Sequence, residues 1–379
     1  MKILFTIDSM NIGGAERSLT SLLSALDGYG HDISLWIRQR GGDLERLIPK
    51  YVHIIEDHEL HHEPGVKKLF NRIAFSIALR TNKRRKHLAE VLWQSRLFNC
   101  SCYPKDHYDV AIAYQQGVPT YITADFISAS KKITWINANL KDVGYNIDFN
   151  SSYYKKFDSI VAVSEALKAS LIENKFCETS RISVINDVSI TQIIKQLAEN
   201  RTPTSEASLT LTTVARLAWQ KGYDMAIKAA AEIRDAGIDF KWFFVGDGPE
   251  RANIERMIAD NNLSNNITLV GSTPNPYPYM KACDIYVQPS YSEGFGITLN
   301  EAKILCKPII TTCIPTAVEH IKNGVNGLTC DISADALANA IIELNGNTQL
   351  KEQFAKQLAA ENKDPDISAY ANSILSLIQ

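Results

Sequence analysis

"LTLTTVARLAWQKGYDMAIKAAAEIRDAGIDFKWFFVG", residues 209–246, contains one complete unit of the fold. LTLTTVARL (209–217) is a β-branched run of strand length, and FKWFFVG (240–246) is a second apolar run. Between them, YDMAIKAAAEIRDAG is built of helix formers. Strand, helix and strand in succession predict a parallel pair whose faces are covered by helices. The alternation continues downstream through strands NITLVG (266–271), DIYVQPS (284–290) and KPIITT (307–312). The segments ERANIERMIADN and PYMKAC read as helices between them.

Upstream the pattern is the same. KILFTID (2–8) reads as a buried strand, and NIGGAERSLTSLLSAL (11–26) as a glycine turn entering a helix. HDISLWI (31–37), YDVAIAY (108–114), KKITWIN (131–137), DSIVAVS (158–164) and RISVIN (181–186) are further strands, with EALKASLIENK (165–175) a helix among them. The polar, turn-rich RTPTSEAS (201–208) divides the two series and reads as a linker. The expected organisation is a doubly wound α/β domain over 1–200, a second over 209–362, and a C-terminal helical segment over 363–379. Side by side, two such domains make a cleft between the carboxyl ends of their strands, where open α/β sheets bind ligands.

The 379 residues carry a net charge of −2, so bulk charge points to no nucleic-acid partner. No apolar run reaches the roughly 20 residues of a membrane-spanning helix, and Asp8 with Gly13-Gly14 marks the N-terminal apolar burst as a strand rather than a signal peptide. Seven scattered cysteines read as free cytosolic thiols. Charge is uneven, however: nine Lys or Arg and a single acid, Glu90, lie between Gly65 and Phe98, interleaved with apolar residues. That segment reads either as amphipathic helices on an anionic membrane surface or as helices with a solvated basic face. A cytoplasmic protein with peripheral contact to the cytoplasmic face of a membrane is the expectation.

SEGFGITLNEA (292–302) carries the chemistry. Glu293 falls in a loop after a strand, and a helix begins near Gly296 with Glu301 on its early turns. Free N–H groups at that start suit a phosphate. The two carboxylates then face different parts of one extended ligand, or else are a capping acid and a surface acid. Arg216 and Lys221, at the end of the strand 209–217 in ARLAWQKG, suit a diphosphate by fork and point charge, or are solvated surface cations. Gly13-Gly14 at a helix start is either a backbone approach for an anion or a structural turn. HELHH (58–62) matches the zinc pattern H-E-x-x-H, but Pro64-Gly65 follows at once and a polar loop fits better. DPD (364–366) reads as a turn, and VGDGPE (245–250) as a strand end leading into a helix.

Taken together, the segments GGAER, VARLAWQKG, VGDGPE, DIYVQPS and VEHIKNGVNGL (318–328), with E-x7-E at Glu293 and Glu301, resemble the family 4 retaining glycosyltransferases, including those of bacterial capsule, exopolysaccharide and glycolipid synthesis. The resemblance implies a GT-B fold of two facing Rossmann-like domains with an interdomain cleft, acceptor in the first and nucleotide sugar in the second. It implies that the C-terminal helix crosses back to the first domain. It implies transfer of a hexose, from a UDP-sugar, to a glycan or lipid-linked acceptor in α linkage, without a metal or other cofactor. By this resemblance Arg216 and Lys221 bind the diphosphate, and Gly13 and Gly14 approach the distal phosphate. Gly296, Ile297 and Thr298 add backbone contacts, Glu301 holds the ribose, Ser272 lies near the base, and Glu293 meets the sugar. Related enzymes often carry W-I-H where this chain has TWINANL (134–140), which places the uncharged Asn137 beside Glu293 at the reacting sugar.

Two other functions fit the same scaffold. One is a non-catalytic nucleotide-sugar-binding subunit of a transferase complex, for which Asn137 leaves room and the intact Glu293, Arg216, Lys221 and Glu301 do not. The other is a nucleotide-sugar epimerase. A nicotinamide dehydrogenase is disfavoured because no G-x-G-x-x-G follows the first strand.

Overall fold

The computed structural model describes residues 1–56, 58, 60–62, 73, 76–77, 80, 87–94, 102–200 and 205–379. It divides into two compact units, Met1–Asp187 with Asp366–Gln379, and Val188–Pro365.

In the first unit the strands are β1 (Lys2–Ser9), β2 (Asp32–Gln39), β3 (His53–Ile54), β4 (Leu60–His62), β5 (Cys102–Pro104), β6 (His107–Ala113), β7 (Ser128–Ile136), β8 (Ser159–Ala162) and β9 (Ile182–Val184). Seven of them form one parallel sheet in the order β3-β2-β1-β6-β7-β8-β9. β4 and β5 pair antiparallel on their own. Leu60–His62 is thus extended, and H-E-x-x-H lacks the helical face that zinc binding needs. Most of the basic segment 65–98 lies outside the described residues; within it Leu88–Gln94 is a helix.

The second unit holds β10 (Leu209–Val214), β11 (Phe240–Val245), β12 (Ile267–Gly271), β13 (Ile285–Gln288), β14 (Ile309–Thr312) and β15 (Leu328–Cys330). They are ordered β12-β11-β10-β13-β14-β15 and pair parallel throughout. Both faces are covered, so every residue of β10 is buried, its threonines included. Two of these hydroxyls are satisfied inside: Thr213 Oγ1 donates to the Val287 carbonyl at 2.7 Å, and Thr212 Oγ1 to that of Tyr279 at 3.1 Å. Trp242 and Phe244 of β11 are fully buried beneath the helix Tyr223–Asp235, and side chains of this size contribute about 1.5–3 kcal/mol each.

The units part at Asp187 and Val188, earlier than position 200. The reason is the helix Thr191–Ala198, which buries Ile194 and Ala198 in the second unit's core with Val214, Phe243 and Met280. Ser205–Ser208, within the stretch expected as a linker, belongs to that unit too. Asp366 accepts from the Ala369 N–H at 2.8 Å and so caps the helix Ile367–Ile378, which gives the DPD segment a structural role. That helix belongs to the first unit and packs on the helix Gly14–Ala25. Among the described residues no helix is long and apolar enough to cross a membrane.

Asp187 ends the first unit's main segment and is buried. Ser18 Oγ donates to its Oδ1, and since that is the only proton Ser18 has, Tyr114 donates to Ser18 at 2.6 Å. Tyr370 of the C-terminal helix bonds Tyr114. Burial raises the Asp187 carboxyl to about 7, against the opposing Ser18 hydrogen bond. A raised carboxyl pKa means the folded state holds the proton more tightly than the unfolded state, whose value is about 3.9. This group's contribution is therefore most favourable below about pH 4 and is lost as pH climbs towards 7. Asp187→Asn keeps an acceptor for Ser18 and cannot ionise. It should be more stable than the parent at pH 8 by about 2–4 kcal/mol, with the gap closing towards pH 4. Urea unfolding at both pH values measures this; equal gaps at the two would show that Asp187 does not carry the charge cost.

Candidate active site

The strand order of the second unit reverses between β10 and β13, so the chain leaves these neighbouring strands in opposite directions and a crevice opens at their carboxyl ends. The loop after β10 carries Arg216 and Lys221. Its inner side is pinned by Leu217, which is fully buried and whose N–H donates to the Asp247 carbonyl at 3.0 Å. The Glu250 N–H donates back to the Leu217 carbonyl at 3.0 Å. The VGDGPE turn thus braces the cation loop, and the helix it enters begins at Arg251, with Glu250 at its N-cap. Arg216 is left exposed on the outer side.

Gly222 brings the two loops together. Its φ is +65°, and a Cβ built there would lie 1.8 Å from the Pro289 carbonyl oxygen. The Tyr291 N–H donates to the Gln220 carbonyl at 2.8 Å across the same gap. This close approach sets Lys221 against Glu293, with Nζ 2.5 Å from Oε2. The opposite oxygen, Oε1, accepts from Gln288 Nε2 at 2.6 Å and from Ser290 Oγ at 2.7 Å. Gln288 is itself fixed: Tyr286 donates to its Oε1 at 2.7 Å and Thr298 Oγ1 at 3.2 Å. An ionised carboxylate offers about four acceptor sites. Three donors reach Glu293, so it is rigidly aimed and keeps room for about one further donor, such as a sugar hydroxyl.

Gly296, at φ 80° and ψ 48°, is the N-cap of the helix Ile297–Ile304. The Leu299 N–H closes that helix onto the Gly296 carbonyl at 2.9 Å. The Ile297 and Thr298 N–H groups stand in its first turn, where no intrahelical acceptor exists. Glu301 is one turn further in and buried, its Oε1 accepting from Tyr277 at 2.8 Å. Ser272 is exposed just beyond the end of β12.

In the first unit, Gly13 is the N-cap of the helix Gly14–Ala25 with φ −163°, an extended conformation open to any residue. A Cβ on it would meet Glu16 Oε2 at 2.3 Å, so the chain's own carboxylate lies over the turn where an anion was expected. Asn137 follows β7. Its Nδ2 donates to the Tyr114 carbonyl at 2.7 Å and its N–H to Gln116 Oε1 at 3.1 Å. Its Oδ1 has no hydrogen-bond partner among the described residues.

Sequence reasoning placed Lys221, Glu293 and the helix start in one site, and the structure brings them together. It missed Gln288, Ser290 and Tyr277, which fix the two glutamates. A signal existed for the first two: they are polar residues inside the apolar run DIYVQPS, and both are buried.

Comparison with known proteins gives two family matches. Residues 12–187 match Glycosyltransferase Family 4, and residues 195–360 match Glycosyl transferases group 1. An uncharacterised glycosyltransferase of Methanocaldococcus jannaschii is 32% identical over 52% of this chain and 53% of its own length. The lipopolysaccharide core biosynthesis glycosyltransferase LpsE of Rhizobium meliloti is 24% identical over 54% of this chain and 59% of its own. The chain thus spans little more than half of these curated relatives. Among solved structures, Anabaena HepE in complex with UDP and glucose superposes with a TM-score of 0.74 at 19% identity, covering 100% of this chain and 99% of that one. At that identity the likeness speaks for the fold.

Proposed function

The chain belongs to the glycosyltransferases, through a Family 4 first domain and a group 1 second domain, and on that footing we propose that it moves a hexose from a UDP-sugar to a glycan or lipid-linked acceptor with retention, giving an α linkage. The observation that carries the proposal is the Lys221–Glu293 pair, held by Gln288 and Ser290 beside the N-terminus of the helix Ile297–Ile304. Hydrolytic acid–base work is a poor fit. Glu293 is surrounded by donors, and Glu301 is buried against Tyr277, so the two do not flank one bond.

Each group then has a task. Arg216 and Lys221 neutralise the diphosphate, and the N–H groups of Gly296, Ile297 and Thr298 add donors as negative charge grows on the leaving group. Glu293 grips the sugar, and Glu301, aimed by Tyr277, takes the ribose hydroxyls. The base lies by Ser272. In the first domain Asn137 is assigned, with Glu293, to the reacting sugar, and the Gly13-Gly14 turn to the distal phosphate. The sugar passes through an oxocarbenium-like state shielded by the departing phosphate, whose oxygen takes the acceptor's proton on the same face. Acceptors of surface polysaccharide or glycolipid synthesis suit the resemblance to such enzymes.

The test is turnover across a panel of UDP-, GDP- and ADP-sugars with glycan and glycolipid acceptors, followed by NMR of the new anomeric centre. An α product from an α-configured UDP-sugar is expected. A β product would overturn retention, and UDP-sugar binding without turnover on any acceptor would turn the assignment towards an accessory subunit.

A further inference from the structure

His320 ends the short helix Pro315–His320 and is buried. Its Nε2 lies 2.6 Å from the Phe295 carbonyl oxygen, and a carbonyl only accepts, so Nε2 carries a proton. The ring stands edge-on to Phe295, with centroids 4.6 Å apart at 74°. Burial, aided by the Lys303 charge, lowers its pKa to about 4 against the pull of the Phe295 carbonyl and Glu293. At neutral pH the ring therefore holds one proton, committed to Phe295.

The consequence runs through one peptide plane. In a trans peptide the C=O and the following N–H point to opposite sides, and no cis bond occurs among the described residues. By drawing the Phe295 carbonyl to itself, His320 turns the Gly296 N–H the other way. The left-handed turn at Gly296, the conformation glycine adopts without cost, then sets the Ile297 and Thr298 N–H groups next in line. His320 also packs there: its Cδ2 would lie 3.8 Å from a Cβ on Gly296.

We propose that His320 is a positioning residue for a nucleoside diphosphate, fixing the Phe295–Gly296 peptide so that three consecutive N–H groups converge on a phosphate. This rests on the donor-site assignment above. It adds a determinant that neither touches the ligand nor lies within the E-x7-E stretch.

UDP titrated by calorimetry into the full chain tests it, using the parent, His320→Phe and His320→Gln. Phe fills the space without a donor, whereas the Gln side-chain amide can donate to Phe295. UDP affinity should fall about tenfold in the Phe variant, as for loss of a donor to a charged group, and return to within about threefold in Gln. KM for the sugar donor should rise with it, and KM for the acceptor should stay put. Should the Phe variant not fold, His320→Met supplies the donor-free side of the comparison. Parent-like UDP affinity in the donor-free variant, or equal losses in it and in Gln at matched melting temperatures, overturns the positioning role. A parent that binds UDP normally while Lys221→Ala binds it equally well overturns the donor-site assignment instead.

Discussion

Lys221→Ala should lower kcat/KM for the sugar donor by about 10²–10³-fold, the loss typical of removing one preorganised charge partner of a developing anion. Glu293→Gln should lose a similar factor through a different contact. The two losses are separable because the side chains also hold each other. Lys221 is 24% exposed and Glu293 only 8%, so removing the ammonium leaves a nearly buried carboxylate with the Gln288 and Ser290 donors alone. Lys221→Ala should therefore melt lower than the parent, and Lys221→Ala/Glu293→Gln should recover part of that stability while recovering no transfer. Thermal melts and donor turnover on the four proteins close the cycle. Transfer that returns together with stability in the double variant would reduce the pair to a structural ion pair.

Much of the fold could be read from the chain because parallel strands buried on both faces leave continuous apolar, β-branched runs, as in ITLVG, IYVQ and IITT. What escaped was short or depended on a neighbour. β3 has two residues and β15 three, too few for any period to register. The helix Thr191–Ala198 shows an apolar face in sequence, but no pattern in one helix says which sheet will cover it, and the domain boundary was misplaced for that reason.

The site divides along the same line. Charges at strand ends are visible, since Arg216, Lys221 and Glu293 lie at or within a few residues of the ends of apolar runs. Their partners are not. Gln288 reaches Glu293 across five positions, and Tyr277 reaches Glu301 across twenty-four. His320 reaches Phe295 across twenty-five, from a helix that follows a different strand. Such contacts belong to topology, and a one-dimensional period cannot carry them. The pairing of Lys221 with Glu293, seventy-two positions apart, is likewise a product of the strand reversal between β10 and β13.

Gly222→Ala should then do more damage than its single methyl suggests. Two costs apply at this residue: the left-handed φ of +65°, and a Cβ that would sit 1.8 Å from the Pro289 oxygen and 2.9 Å from its carbon. The first is worth about 1–2 kcal/mol for an L-residue. The second involves backbone on both sides, so it is relieved only by parting the loops that hold Lys221 against Glu293. Gly237 separates the two costs, because it has φ +76° and nothing within 4 Å of its Cβ. Gly237→Ala should lose about 1 kcal/mol in urea unfolding and keep full turnover. Gly222→Ala should lose at least about 3 kcal/mol, as severe overpacking does, together with about 10²-fold in kcat/KM. Equal stability losses in the two variants, with turnover intact in both, would mean the loops are free to part. The close approach at Gly222 would then have no hold on the geometry of the Lys221–Glu293 pair.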